Sequence, residues 1–182
     1  MVIRKIIISF ITFICLVGCC YNGIRNSYGL PRKKIKPLEK NINYEGIDTL
    51  ALYEIYAYYG YNNISKEPLY FQKASENSYP YLSYLKFYKD GKLGLFVISK
   101  DSLNLNRDMF NPKKAKMGYY YLNGNKIKTK ISTIGNCDLY ISNGKGFVYQ
   151  DTIKIENNTQ HGSIYVKKNI PKQLLENWKP DW

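Results

Sequence analysis

The chain has 182 residues, with 27 Lys and Arg against 14 Asp and Glu, which gives a formal net charge of +13. This length allows one ordinary domain, and 45% apolar residues with 19 tyrosines exclude a disordered basic tail. One histidine and four cysteines exclude a histidine-rich metal protein and a disulfide-dense scaffold.

The amino terminus has the pattern of a secretory signal peptide. Arg4 and Lys5 form a short positive region, and residues 6–17 are an apolar run interrupted only by Ser9 and Thr12. A membrane-spanning helix needs roughly 20 apolar residues, so this run is too short to be one. Its length and its positive flank instead match the hydrophobic region of a signal peptide.

The apolar run ends in Leu16-Val17-Gly18-Cys19. This motif resembles the lipobox of bacterial lipoproteins, in which a small residue precedes the cysteine that is lipidated. The resemblance implies removal of residues 1–18, cleavage between Gly18 and Cys19, and fatty acyl chains of the palmitate type on Cys19. No acidic residue follows Cys19 closely. We therefore expect a lipid-anchored envelope protein, attached to the outer membrane and facing the periplasm.

Residues 19–45 are interpreted as a basic tether between the lipid and the domain. They lack hydrophobic periodicity and carry six Lys or Arg residues, which is typical of a flexible linker. The cations either attract anionic headgroups or serve only to keep the linker solvated. With residues 1–40 set aside, the remaining 19 cations face 13 acids, so the chain beyond residue 40, which includes the β domain over residues 46–182, carries only about +6. The basic excess thus indicates export and membrane proximity rather than nucleic-acid binding.

The rest of the chain has the texture of a β domain. Residues 49–59 are rich in tyrosine and favour a strand over a helix, and residues 61–80 are expected to be a long loop. Three hairpins are predicted at Asp90-Gly91, as a type I′ turn, at Asn123-Gly124 and at Asn143-Gly144. A fourth hairpin is expected to join residues 152–155 to residues 163–166. Together these patterns predict eight or nine strands.

Such a regular antiparallel meander must protect or close its edges. The fold class is therefore all-β, a meander that closes into a barrel or half-barrel. Its motifs resemble those of small lipocalin-like lipoproteins of Bacteroidetes, which are mostly of unassigned function: Tyr84-Leu85-Lys86-Phe87-Tyr88-Lys89-Asp90-Gly91-Lys92, Lys116-Met117-Gly118-Tyr119-Tyr120 and Asp151-Thr152-Ile153. The chain departs from true lipocalins in lacking Gly-x-Trp near the first strand.

Two segments fall outside the hairpin pattern. Residues 100–115 are long for a hairpin connection, and a helical turn near Asp108-Met109-Phe110 is predicted to end at Pro112. The tail over residues 171–178 is expected to be either a short C-terminal helix that closes a barrel end or an extended flap over the surface.

No established catalytic or metal-binding motif is found in the sequence. His161 is the one histidine, and it falls in a predicted turn, where a solvated side chain is the usual outcome. The carboxylates are scattered, with turn chemistry and solubility as their expected roles: Asp101, Asp108, Asp138, Asp151 and Glu156. We therefore expect neither an enzyme, nor a metal site, nor a cofactor.

With Cys19 lipidated, Cys20 and Cys137 are the thiols left in the mature chain, and an exported compartment permits a disulfide between them. The tyrosines leave two functions open. A hollow barrel would bind a small apolar or sugar-like ligand, whereas a filled barrel with an exposed apolar face would bind a protein partner in the envelope. A hydrolase with facing carboxylates is the third and weakest hypothesis.

Overall fold

The computed structural model describes residues 21–33, 35–36, 46–62, 65, 67–102, 104–157 and 160–182. The predicted signal peptide, Gly18, Cys19 and Cys20 lie outside these residues, as does part of the predicted tether. The described chain forms nine strands in chain order: β1 Leu52–Tyr61, β2 Pro68–Lys73, β3 Tyr81–Phe87, β4 Lys92–Ser99, β5 Lys116–Asn123, β6 Lys126–Gly135, β7 Asp138–Tyr149, β8 Thr152–Glu156 and β9 His161–Lys168.

Eight of the strands close into an antiparallel barrel, which confirms the predicted fold class. From β3 to β9 each strand pairs with the next, and β1 closes the ring by pairing with both β9 and β3. The seam between β1 and β3 is short, with Tyr53 and Glu54 as the paired residues of β1. Beyond that point the same edge of β1 pairs with β2, from Ala57 to Tyr61.

The ninth strand, β2, lies in the segment that the sequence predicted to be a loop, so that prediction is wrong. Pro68 begins the strand, which is a position where the missing N–H removes no internal ladder bond. All six side chains of β2 are exposed. No buried face exists to produce a hydrophobic alternation, so the pattern gave no signal.

The predicted hairpins at Asp90-Gly91 and Asn123-Gly124 form, with turn details that differ from the prediction. At the first, Tyr88 and Lys92 bracket three residues, and only Gly91 has a positive φ, at 77°. This is a type I turn followed by a bulge, and not the predicted type I′ turn. At the second, Asn123 pairs with Lys126 across the two residues Gly124 and Asn125.

The predicted turn at Asn143-Gly144 is wrong, because β7 runs straight through it. The reversal lies instead at Asn136-Cys137, whose φ values of 50° and 67° are those of a turn usually built from glycine. Gly144 faces the barrel interior, and a Cβ on Gly146 would lie 1.7 Å from the Lys154 carbonyl oxygen. The two glycines thus let β8 approach β7 closely, which is how a small barrel bends.

The barrel has a buried core inside and a second one against its outer wall. The inner core includes Tyr53, Phe87 and Tyr120, whose rings meet edge to face at 5.5 and 4.9 Å. The outer core is centred on Phe110, which packs against Tyr84 and Phe96.

The long connection and the tail form the cover of this outer core. The connection contains the predicted helical turn, as the 3₁₀ turn Arg107–Phe110, followed by a second one at Pro112–Lys114. In the tail, one 3₁₀ turn, Lys172–Leu174, precedes an extended flap. Leu175 is buried against the outer wall of the barrel and not at a barrel end.

The described part of the segment before residue 46 also packs on the barrel, where the sequence indicated a flexible tether. Arg32 forms an ion pair with Asp181 at 3.0 Å and lies 5.1 Å from the Trp182 ring. It also donates to the carbonyl oxygens of Pro112 and Ala115. Residues 21–33 are therefore held against the connection and the tail.

Candidate functional site

The best candidate for a ligand site is a cavity of about 180 Å³ whose lining comes from seven of the eight barrel strands. Only the barrel interior can bring residues of so many strands together. The lining residues are Leu85, Leu95, Lys116, Thr129, Ile131, Thr133, Tyr140, Ser142, Ile155, Asn157 and Tyr165. Sites for drug-sized ligands usually measure about 300–1,000 Å³, so this cavity suits a smaller molecule.

The barrel interior is partly filled. Large side chains occupy the space beneath the cavity, and the cavity itself is empty of protein atoms. Tyr120 is buried in the inner core and donates a hydrogen bond to the Tyr88 carbonyl oxygen at 2.9 Å. Phe87 and Leu93 are fully buried beside it. The large side chains of the inner core thus close one part of the barrel and leave the cavity as the remaining space.

The cavity combines an apolar wall with polar groups on neighbouring strands. Lys116 is the cation of the lining, and its Nζ donates to Thr133 Oγ1 at 3.2 Å. Burial lowers the pKa of Lys116, because the charged ammonium has lost part of its hydration. Among the described residues no carboxylate lies within 4.0 Å of it. A ligand anion or acceptor would therefore find an ammonium without a carboxylate partner.

Sequence reasoning did not identify Lys116 as a site residue. The signal was present in the alternation of β5, where Lys116 shares a face with Gly118, Tyr120 and Leu122. Two apolar side chains on that face mark it as the interior, and a lysine at its end is then unusual. Tyr165 was missed in the same way; burial raises its pKa well above the usual value, so its phenol stays neutral.

A second depression lies on the outer face between β1, β2 and β8, with a volume of about 470 Å³. There Glu156 accepts hydrogen bonds from the hydroxyls of Tyr59, at 3.2 Å, and Tyr61, at 3.4 Å. Lys154 lies 4.5 Å from the centre of the Tyr59 ring and 3.8 Å from Glu156. The polar atoms of this groove are thus already partnered by each other.

His161 is the first residue of β9 and does not lie in the predicted turn. Its Nδ1 lies 3.1 Å from the Tyr70 hydroxyl on β2. Three of the scattered carboxylates are held in ion pairs, Glu156 with Lys154 as above, Asp108 with Lys114, and Asp151 with Lys167. The described residues contain no group of three or more potential metal ligands.

Cys137 is disulfide-bonded, and the remaining cysteines lie outside the described residues: Cys15, Cys19 and Cys20. The Tyr21 N–H donates to the Cys137 carbonyl oxygen at 2.7 Å, which brings the chain directly after Cys20 to this turn. The predicted pairing of Cys20 with Cys137 stays a prediction, and this hydrogen bond supports it.

No known protein family, curated protein or solved structure matches this chain. Within the described ranges, no helix has the length and apolar character required to cross a membrane.

Proposed function

We propose that the chain is a lipid-anchored cell-envelope protein whose barrel binds a small molecule without transforming it. The sequence support for the anchor is the lipobox-like segment ending in Gly18 and Cys19, with attachment to the outer membrane on its periplasmic side. The observation that carries the binding function is the interior cavity with Lys116 at its wall. The ligand that fits this wall has a small apolar body and one anionic or strongly accepting group.

The ligand class follows from the charged groups of the cavity wall, which among the described residues are the Lys116 ammonium and no carboxylate. A half-buried ammonium that gains a carboxylate partner makes a charge-assisted hydrogen bond, which contributes about 1.5–3 kcal/mol. The side chains of Ile131 and Ile155 offer apolar surface to the rest of the ligand. A neutral analogue of the same shape gains the apolar contacts without the charge-assisted hydrogen bond.

Titration calorimetry with hexanoate and with hexanol tests this proposal. We expect hexanoate to bind at least about tenfold more tightly than hexanol. Lys116→Met should remove this preference, whereas Lys89→Met, at an exposed turn position, should retain it. A wild-type protein that binds neither probe, and from which native mass spectrometry of material purified from its own envelope detects no ligand, would contradict the proposal.

Blocking the cavity provides a second, independent arm. Ser142→Leu places a larger side chain in the cavity wall, and Asn143→Leu places the same side chain on the outer face of β7. Ser142→Leu should abolish binding of hexanoate, and Asn143→Leu should leave it unchanged.

The anchor has its own test. Cys19→Ser should prevent incorporation of a labelled fatty acid in the native host, because the thioether can form only on a thiol. Label incorporation equal to that of the wild type would rule out lipidation at Cys19.

An interaction role in the envelope is the second candidate, and strand β2 favours it. Among the described strands β2 pairs only with β1, so its other edge is available to an added strand. Leu69 and Phe71 are 58% and 57% exposed on it. A photo-crosslinking residue at Leu69 should capture a partner in intact envelopes, and the same residue at Lys172 is the control. Equal labelling at both positions would argue against this role.

A further inference from the structure

Three lysines of β6 project from the outer wall of the barrel. The side chains of Ile127, Thr129 and Ile131 face the interior, so the alternating Lys126, Lys128 and Lys130 face outward. Lys145 of β7 joins them, because it lies directly opposite Lys128 in the sheet register. We call these four lysines the basic face.

The basic face lacks the acidic partners that other lysines of the barrel have. Lys92 lies 3.0 Å from Asp90, and Lys167 lies 2.9 Å from Asp48. By contrast, none of the four lysines of the basic face has a carboxylate within 4.0 Å among the described residues. Their charges are therefore left without neutralising side chains.

The arrangement works against folding stability. Lys128 and Lys145 occupy paired positions on adjacent strands, and like charges in such positions repel. A basic cluster that the fold does not need, and that destabilises it slightly, is best explained by an anionic surface outside the protein.

Aromatic side chains border the basic face and favour a bilayer as that surface. Phe147 lies opposite Lys126, and the Tyr121 ring lies 5.7 Å from the Lys128 ammonium. Tyr149 stacks on Phe147 and is 55% exposed. Aromatic rings beside lysines match the headgroup region, where one end of a side chain meets apolar material and the other meets water.

The amino-terminal segment of the chain reaches the barrel at the same hairpin. The Tyr21 N–H bonds to the Cys137 carbonyl oxygen at the β6–β7 turn. Cys19, the predicted lipidation residue, precedes Tyr21 by two positions. A lipid there would hold the β6–β7 turn at the membrane.

The length of the β6–β7 hairpin determines how the barrel must lie for all four lysines to reach the membrane. Lys126 is ten residues from Asn136, which corresponds to about 33 Å along a strand. A barrel standing upright on the turn would keep Lys126 beyond the Debye length of about 8 Å from the headgroups. A barrel lying on the outer wall of β6 and β7 brings all four lysines to the surface.

We propose that the basic face docks on the anionic headgroups of the bilayer and lays the barrel on its side. The proposal rests on the membrane attachment proposed above for the choice of surface, and on the register and charges of β6 and β7 for the site. It adds a second, electrostatic attachment to the lipid, and fixes which wall of the barrel stays exposed to the periplasm.

Lysine accessibility in the full-length chain tests the docking. The chain is incorporated into vesicles of phosphatidylcholine alone, or of phosphatidylcholine with about 30% of the anionic lipid phosphatidylglycerol. An amine-reactive reagent then labels exposed lysines, which peptide mass mapping quantifies. In anionic vesicles Lys126, Lys128 and Lys145 should react at least about fivefold more slowly than in neutral ones. Lys89 and Lys172 should react equally in both.

A triple variant provides the matched binding measurement. The chain carrying Cys19→Ser, and the same chain with K126Q, K128Q and K145Q added, are sedimented with the anionic vesicles. Each lysine near an anionic surface contributes a factor of about five, so the three substitutions should weaken binding by on the order of 100-fold. The same three substitutions at exposed lysines elsewhere, K89Q, K113Q and K172Q, should change it far less. Unchanged melting temperatures would show that the variants fold.

The outcomes separate this inference from the proposed anchor. Equal labelling in both kinds of vesicle, in a chain whose Cys19 is acylated, would overturn the docking and leave the anchor intact. Protection of the three lysines in a wild-type chain that its native host leaves unacylated at Cys19 would support the docking and refute the anchor. Protection of these lysines by double-stranded DNA but not by anionic vesicles would overturn the choice of a bilayer.

Discussion

Lys86 on β3 allows a stability prediction that depends on pH. Its side chain is buried, at 5% exposure, and its ammonium donates to the Thr49 carbonyl oxygen. Burial lowers the pKa of Lys86 from 10.5 to about 8. At about 1.4 kcal/mol per pH unit, this shift means that the charged side chain destabilises the fold by about 3 kcal/mol at pH 7.

The sign of the pH dependence follows from proton binding. Between about pH 8 and pH 10.5 the unfolded chain keeps the proton on Lys86 and the folded chain releases it. The unfolded state then binds more protons, so stability rises with pH in this window and is lowest below it. Buried tyrosines have the opposite effect above pH 10, because burial raises the pKa of Tyr88 and Tyr165. The assay is therefore confined to pH 7–9.5.

Lys86→Met should raise the free energy of unfolding at pH 7 by about 2 kcal/mol. It removes the penalty of about 3 kcal/mol and loses the bond to Thr49, which contributes about 1 kcal/mol. Urea unfolding at pH 7, 8, 9 and 9.5 measures the difference from the wild type, which should shrink as the pH rises. Lys89→Met, at an exposed position, should stay within about 0.5 kcal/mol at every pH. A variant less stable than the wild type at pH 7, or a difference independent of pH, would refute the reasoning.

Three further predictions concern the barrel and its attachments. Gly146→Ala should destabilise the fold by about 3 kcal/mol in thermal unfolding, because its Cβ would meet a backbone oxygen at 1.7 Å. Asn143→Ala should change stability by less than about 0.5 kcal/mol, since the residue is exposed in mid-strand and not in a turn. Comparable losses for the two variants would favour the predicted turn at Asn143-Gly144 instead. Arg32→Gln should lower the free energy of unfolding by about 2 kcal/mol, because its charged hydrogen bonds hold the segment 21–33 to the tail, and an unchanged urea midpoint would show that this segment is not docked in solution. Non-reducing peptide mapping should recover Cys20 joined to Cys137, and reduction should destabilise by about 2–5 kcal/mol; recovery of Cys19 in that bond would exclude its lipidation.

Alternation and turn chemistry in the sequence determined the fold class. Strand β1, the hairpin at Gly91 and the hairpin at Gly124 follow from residues that are neighbours in the chain. Such features can be predicted without knowledge of the fold, because the residues that form them lie within a few positions of each other.

The tertiary structure decided what depends on distant partners. Gly144 resembled a turn residue by its neighbour Asn143, yet its role is to let β8 approach, which is set by a strand that follows later. The β2 strand exists because β1 offers it an edge, and its exposed side chains left no hydrophobic pattern. Closure of the ring by β1 and β9 joins residues more than a hundred positions apart.

The candidate sites divide along the same line. The sequence by itself predicts an exported, lipid-anchored β protein, since a signal peptide and a lipobox are linear motifs; the β fold is confirmed, and the lipid anchor stays a prediction. It could not identify the cavity at Lys116, because a cavity is the space that side chains from seven strands fail to fill. Nor could it place the amino terminus on the hairpin that carries the basic face, because the hydrogen bond of Tyr21 to Cys137 joins parts of the chain more than a hundred residues apart. Local patterns depend on neighbouring residues, whereas the cavity and the basic face depend on packing between residues far apart in the chain.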